Sequence, residues 1–405
     1  VQLYNYFNML FRMNSIAVAA VCGMILSAPV AYGECKGLES SHDWQTQQTF
    51  SRGDGKPDRT YHVHTPPNYK PSKKSKVLLF FHGWGESGKA YLEYEYKLLE
   101  TLNRYNYVYV GIDGLGGTGD WDWPSWNFPG SSDGIGSDGT SVTTCDTSLA
   151  EPDYCYKSQC PCTNRCGWTH CIDDDVQMVA DFINGGVGLT GSLSDVVCVD
   201  PKATFASGVS NGGMLAFFLG SDPRTAPLLS GIAPIIALPH GDYNFAGDVP
   251  ILLQVGRNDP TVTPHSGEYP GDPSDTIISN IDNEYYYITG HRITTTWATK
   301  KCVVTDSNAF PTTKYKIKEM PKTAMHKCRT WCQGKEAYSV DCTFKGAHDS
   351  PGFTYQAALI FFDRHLPKKK RSDCWKLKTR KSCEQATCTW RNARKKCRKE
   401  NFSNV

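Results

Sequence analysis

Apolar positions along the chain fall into two alternating patterns. Short runs that are apolar on both faces stand at Lys76–Phe81, Tyr107–Ile112, Ala203–Ser207 and Val249–Val255, while Arg59–His64 alternates in the manner of a half-buried strand. A further strand is expected near Tyr315–Ile317. Between these runs, helical spacing recurs at Lys89–Leu102, Asp173–Ile183, Gly213–Leu219 and Tyr355–His365. Strands with two apolar faces, alternating with helices, predict a mostly parallel sheet covered on both sides. Two long irregular segments, about 113–172 and 261–292, interrupt the alternation. Segments of that length inside a compact domain are functional or tied down by cross-links, and at the carboxyl ends of parallel strands they flank a ligand site.

Composition adds a division of the chain. With 405 residues, 40% hydrophobic and 21% charged, it can bury a large core. The net charge of +2 conceals an asymmetry, because residues 366–405 hold fourteen Lys or Arg against three Asp or Glu. That segment therefore carries +11 and the remainder −9. At the other end, Ile16–Val30 is an apolar run closing on Ala31-Tyr32-Gly33, with small residues at −3 and −1. This reads as a secretory leader cleaved before Glu34, with starts available at Met9 and Met13, and an uncleaved anchor is the other reading. Three parts result: an extension and signal peptide at 1–33, a large central domain at 34–366 and a basic cysteine-rich module at 367–405.

Cysteine usage agrees with export. Of the 17 cysteines, Cys22 lies in the leader, twelve fall between Cys35 and Cys342, and four fall in the tail, so both mature sets are even. The knot Cys155, Cys160, Cys162, Cys166 and Cys171 reads as disulfide framework; with His170, zinc ligation is the alternative. Connectivity stays open.

The chemistry centres on Thr204–Ala216, an apolar strand that turns through Gly208-Val209-Ser210-Asn211-Gly212 into an apolar helix. A G-x-S-x-G turn in that setting exposes a nucleophile, because the two glycines let strand and helix approach closely around Ser210. Gly130-Ser131-Ser132-Asp133-Gly134 also fits the pattern, but no strand precedes it and no helix follows. A serine nucleophile needs a base and an acid that orients it, and on such a sheet they follow in the order Ser, Asp, His. Asp259 stands just beyond the strand 249–255, and His348 stands in Gly346-Ala347-His348-Asp349-Ser350-Pro351-Gly352 before the last helix. His265 and His291 are rivals placed early in the irregular insertion. The oxyanion donors are the backbone amides of Asn211, at the helix start, and Trp84, in Phe81-His82-Gly83-Trp84-Gly85-Glu86 after the first buried strand. His82 reads as structural.

These motifs, together with Ser125-Trp126-Asn127, Asp173-Asp174-Asp175-Val176 and Val249-Pro250-Ile251, span residues 78 to 365. The chain resembles the secreted polyhydroxybutyrate depolymerases and feruloyl esterases of the α/β-hydrolase fold. The resemblance implies ester hydrolysis through an acyl-enzyme on Ser210, with no metal or cofactor. It also implies a cysteine-bearing strand and turn, among Cys302, Cys328, Cys332 and Cys342, before the histidine. The chain departs from that family at Asp349-Ser350, where a tryptophan context is usual, and at Trp84 and Glu86, where small residues are common. These departures bear on the substrate rather than on the triad.

Trp121, Trp123 and Trp126 alternate among polar and turn residues, and they form either a stacking surface for an aromatic, sugar or polyester substrate or a buried layer. Trp123 and Trp126 are the candidate substrate contacts. In the tail, Cys374, Cys383, Cys388 and Cys397 repeat at intervals of eight, four and eight residues, a unit too small to fold without cross-links. Its charge suits an anionic surface or serves only as a solvated tail, and Lys368–Arg371 reads as a linker or processing site. Asn401-Phe402-Ser403 is a glycosylation sequon. Together these features and the resemblance imply a secreted, monomeric serine carboxylic-ester hydrolase acting on polymer-linked esters, without a nucleic-acid partner. A serine peptidase or a non-catalytic binding protein on the same scaffold are the alternatives.

Overall fold

A computed structural model describes residues 35, 38–53, 55–116, 123–128, 134–135, 141–142, 173–237, 249–256, 259, 313–314, 317, 325–330, 339–367, 389–391 and 396–398. The leader, Trp121, the cysteine knot with His170, His265, His291, Lys368–Arg371, Cys374, Cys383, Cys388 and the sequon lie outside those residues.

Ten strands form one sheet. In chain order the elements are β1 (Gln47–Phe50), β2 (Arg59–His64), β3 (Ser75–Phe81), α1 (Ala90–Tyr94), α2 (Tyr96–Tyr105), β4 (Tyr107–Ile112), β5 (Gly134–Ile135), β6 (Ser141–Val142), α3 (Asp175–Asn184), α4 (Leu193–Val196), β7 (Val199–Val209) and α5 (Asn211–Leu219). They continue with β8 (Ile232–Ile235), β9 (Ile251–Gly256), β10 (Thr313–Lys314), β11 (Met325–Thr330), β12 (Ser339–Phe344), α6 (Gly352–His365), β13 (Thr389–Arg391) and β14 (Lys396–Arg398). The sheet runs β1-β2-β4-β3-β7-β8-β9-β12-β11-β10, with β5–β6 and β13–β14 as separate antiparallel pairs. The six central strands from β4 to β12 are mutually parallel, and antiparallel strands close both edges.

Strand alternation divides the core into two layers. Leu78, Phe80, Tyr107, Tyr109, Phe205, Leu252, Val340 and Phe344 point to the layer shared with Leu98 and Leu102 of α2 and Leu359, Phe361 and Phe362 of α6. On the opposite face, Phe182 of α3 meets Phe50 and Tyr61 edge-on at ring-centroid distances of 5.3 and 5.0 Å. Helix α5 is buried along its whole length, which is why its sequence is apolar without an amphipathic stripe.

The helix expected over Lys89–Leu102 is two helices, because the backbone leaves helical geometry at Glu95 (φ −109°, ψ 70°). The strand expected near Tyr315–Ile317 is the short edge strand β10, with Ile317 outside it. The parallel strand that leads to His348 is instead β12, hydrogen-bonded to β9 in register from Ser339↔Ile251 to Phe344↔Gly256. Cys328 and Cys342 face one another across β11 and β12 and are disulfide-bonded, and a second disulfide ties Cys35 to Cys198. No helix among the described residues is long and apolar enough to cross a membrane.

Candidate active site

Ser210 sits where β7 ends and α5 begins. It has φ 52° and ψ −119°, a region that side-chain-bearing residues seldom occupy. The surrounding glycines make that turn possible. A Cβ on Gly208 would lie 2.4 Å from Gly212 O, and one on Gly212 would lie 2.2 Å from Phe81 O. Both contacts are far too short for any side chain, so strand, helix and the end of β3 can converge only on glycine. Ser210 N–H donates to Ile235 O at 3.0 Å, and Ser210 O accepts from Met214 N–H at 2.9 Å.

Asp259 and His348 reach the serine from adjacent strand ends. Beyond β9, Asp259 N–H donates to Gly256 O at 3.3 Å, and a Cβ on Gly256 would lie 2.3 Å from Ala347 O. The glycine thus lets the His348 loop lie directly against the end of β9. His348 Nδ1 is 2.8 Å from Asp259 Oδ2, and His348 Nε2 is 2.9 Å from Ser210 Oγ. The Asp259 side chain is fully buried, whereas that of His348 is 23% exposed. The assignment with Nδ1–H donating to the carboxylate leaves Nε2 as acceptor for the serine hydroxyl.

Ser210 and His348 open onto a cleft of about 400 Å³ that is also lined by Gly83, Trp84, Glu86, Tyr91, Tyr94, Glu95 and Asp349. Trp84 therefore borders the same space as Ser210, and Asn211 follows the serine at the helix start. Burial, with Asp349 second, raises the Glu95 carboxyl above its ordinary range. Trp123 is 41% exposed and its ring lies 4.3 Å from that of Trp84, which puts it beside the cleft.

Trp126 must be removed from the substrate contacts. Its side chain is completely buried, the indole N–H donates to His82 O at 2.8 Å, and the ring packs on Phe81 and His82. No face remains for a ligand. Its role is structural, since Trp126 N–H donates to Asn211 Oδ1 at 3.1 Å and so braces the residue after the serine. His82 is equally enclosed: Nδ1–H donates to Gly83 O at 2.6 Å, Nε2 accepts from Gly114 N–H at 2.8 Å, and burial pushes its pKa down to about 4. It is a neutral structural histidine.

A second polar assembly lies outside the cleft lining. Asp173 and Asp175, both buried, contact the buried guanidinium groups of Arg52 and Arg59 respectively, and Arg59 also reaches Asp173 at 3.5 Å. Burial pushes Arg59 down to about 10, against the opposing pull of Asp173. Asp175 Oδ2 accepts from Asn127 N–H at 2.6 Å, and the Asn127 amide donates to Asp173 O at 2.7 Å, which anchors the segment carrying Trp126. Asp174 caps α3 by accepting from Val176 and Gln177 N–H. In the sequence Asp173-Asp174-Asp175 stands out only as part of the family resemblance, because Arg52 lies 121 residues before Asp173 and nothing local joins them.

A central parallel sheet with a G-x-S-x-G turn between strand and helix, and with an Asp and a His arriving from the next parallel strands, defines an α/β-hydrolase fold. No family model and no curated protein matches the sequence. Among solved structures, the chain is similar to an acetyl xylan esterase from Aspergillus awamori, with a TM-score of 0.46 and 11% identity over 79% of this chain and 99% of that one. It is similar to a carboxylesterase of Bacillus cereus (0.35, 12%, covering 76% and 94%) and to SOBER1 of Arabidopsis thaliana (0.34, 13%, covering 72% and 99%). At these scores the fold assignment rests on the strand order and the elbow themselves.

Proposed function

We propose that this protein is a secreted serine hydrolase of carboxylic esters. The observation that carries the reading is the continuous hydrogen-bonded line Asp259–His348–Ser210, ending on a serine held at positive φ in an open cleft. In this mechanism His348 Nε2 takes the hydroxyl proton as Ser210 Oγ attacks the ester carbonyl carbon, and the carbonyl electron pair moves onto oxygen. The amides of Asn211 and Trp84 stabilise that oxyanion, while Asp259 holds the imidazole in the required tautomer and balances its charge. Collapse breaks the bond to the alcohol, which leaves with the proton from His348. Water, deprotonated by the same nitrogen, then releases the acid and restores the serine. None of these steps calls for a metal or a cofactor.

Polymer-linked esters of the feruloyl or hydroxybutyrate type suit the motif resemblance, and the aromatic borders Trp84, Tyr91, Tyr94 and Trp123 suit an apolar or aromatic acyl group. The leader pattern and the disulfides Cys35–Cys198 and Cys328–Cys342 support an oxidising, extracellular setting. The basic module then serves to hold the enzyme at an anionic wall or membrane surface.

The test pairs a fluorophosphonate probe with a short-chain p-nitrophenyl ester, on wild type and Ser210→Ala. Labelling and turnover that vanish in the variant are expected, after which feruloylated sugars and hydroxybutyrate oligomers divide the substrate classes. Disulfide-intact wild type that takes no label, or a variant that still takes it, overturns the reading. Hydrolysis of a peptide amide without any simple ester moves it to a peptidase.

A further inference from the structure

The turn that carries Trp84 is held by a side chain that belongs to neither the triad nor the donors. Gly83 N–H donates to Glu86 Oε2 at 3.0 Å and to Tyr91 Oη at 3.2 Å, and Tyr91 O–H donates to the same carboxylate oxygen. Glu86 N–H closes the turn by donating to Gly83 O at 3.2 Å. Gly83 lies close under the carboxylate, since a Cβ there would lie 2.7 Å from Glu86 Oε2 and would displace it. Tyr91 is itself anchored: it is buried, edge-on to Phe80 at 4.8 Å, and 6.4 Å from Tyr355, whose hydroxyl meets Ser350 Oγ at 2.7 Å. One stack of rings thus underlies both the Trp84 turn and the loop of His348. Burial, with Glu86 second, raises the Tyr91 hydroxyl well above its ordinary range, so it remains a donor to the carboxylate.

A carboxylate lining this cleft opposes the negative charge that develops on an ester carbonyl, so its position calls for a compensating gain. That gain is order. Trp84 stands between Gly83 and Gly85, the latter at φ 77°, in a stretch with little intrinsic stiffness. Adjacent amides in such a turn compete for one acceptor, and the one already bonded to Glu86 is withdrawn from the competition.

We propose that Glu86, clamped by Tyr91, is a positioning residue: by taking the Gly83 N–H it fixes the turn so that the Trp84 N–H serves the substrate carbonyl. The inference rests on the ester-hydrolase reading above. Wild type, Glu86→Ala, Glu86→Gln and Tyr91→Phe are compared for kcat and KM on p-nitrophenyl acetate, per active site titrated by the fluorophosphonate, with thermal unfolding followed in parallel. Complete loss of an oxyanion donor costs on the order of 100- to 1,000-fold in kcat, and a donor left in a loosened turn costs less, so about 10- to 100-fold in kcat with KM changed less than about threefold is the result expected for Glu86→Ala. Glutamine keeps an acceptor for both donors and restores kcat to within about threefold of wild type, while Tyr91→Phe loses about 3- to 10-fold. A Glu86→Ala enzyme within twofold of wild type overturns the proposal, as does a loss confined to KM, or a glutamine variant as slow as alanine. If Glu86→Ala does not fold, Tyr91→Phe decides, and an unchanged kcat there overturns the proposal. Wild type that neither labels nor hydrolyses any ester removes the hydrolase reading itself, and the positioning role falls with it.

Discussion

Asp259 and Asp175 are both buried carboxylates paired with a cation or potential cation, and they differ in what lies on the far side of the partner. Asp259 accepts from His348, whose other nitrogen faces Ser210 and whose side chain is open to the cleft. Asp175 meets Arg59, a guanidinium that is 1% exposed and hemmed in by Asp173 and Arg52. An imidazole open on one side can receive and return a proton; a guanidinium enclosed on all sides can only hold its charge. On the proposed reading the same kind of pairing therefore serves chemistry in one place and rigidity in the other. The two are connected through Asn127 and Trp126, because the buried pair fixes the segment whose backbone braces Asn211.

The comparison breaks most sharply at the open pair. Asp259→Asn is expected to lower kcat by on the order of 10^4-fold, since an amide no longer selects the productive imidazole tautomer, while leaving the unfolding midpoint almost unchanged. Ester turnover and a urea titration of the same preparation check both halves. At the closed pair the pattern reverses. Asp173→Ala leaves Arg52 and Arg59 buried without their shared partner and is expected to cost about 3–5 kcal/mol of stability, with kcat per titrated site within about threefold of wild type.

A smaller effect separates the two histidines that face backbone and serine. His82 has its pKa depressed from 6.5 to about 4 by burial. The unfolded chain therefore binds the proton first as pH falls. Its contribution is intact above about 6.5, declines below that and is gone near 4, a loss of at most about 3 kcal/mol. Urea midpoints measured at pH 7, 5.5 and 4 should fall in that window, and His82→Gln should flatten the decline while starting from a lower stability. The smallest effect is expected at the surface. The Lys89–Glu93 pair spans 3.5 Å between side chains 44% and 36% exposed, and Lys89→Ala should shift stability by less than about 0.5 kcal/mol.

How much of the site could be read in advance follows from the range of each interaction. The elbow at Ser210 was legible because its geometry is steric and local: glycines at 208 and 212 within five residues, an apolar strand before and an apolar helix after. Asp259 and His348 were legible from chain order and from their places after a strand and before a helix. Strand β12 is not legible from periodicity, since Val340, Cys342 and Phe344 alternate too briefly to stand out; only the family resemblance implies a cysteine-bearing strand before the histidine, while the apolar pattern points to Tyr315–Ile317. Trp126 was misread because its partners, His82 and Asn211, lie 44 and 85 residues away. Glu86 was noticed as an unusual residue, but nothing in the sequence joins it to Tyr91 through the Gly83 amide.

The sequence alone determined what local sterics and periodicity can encode: a parallel sheet of doubly apolar strands, a serine at a glycine-flanked turn, and an acid and a histidine in the right succession. Only the tertiary structure decided which cysteine meets Cys35, that Trp126 is interior rather than a ligand platform, that Arg59 meets Asp175, and that His348 bridges Asp259 and Ser210, residues spread over 138 positions, through contacts of 2.8 and 2.9 Å. The physical reason is that hydrogen bonds, ion pairs and close packing act over a few ångströms in space. Chain distance leaves no mark on them until the sheet has brought the strand ends together.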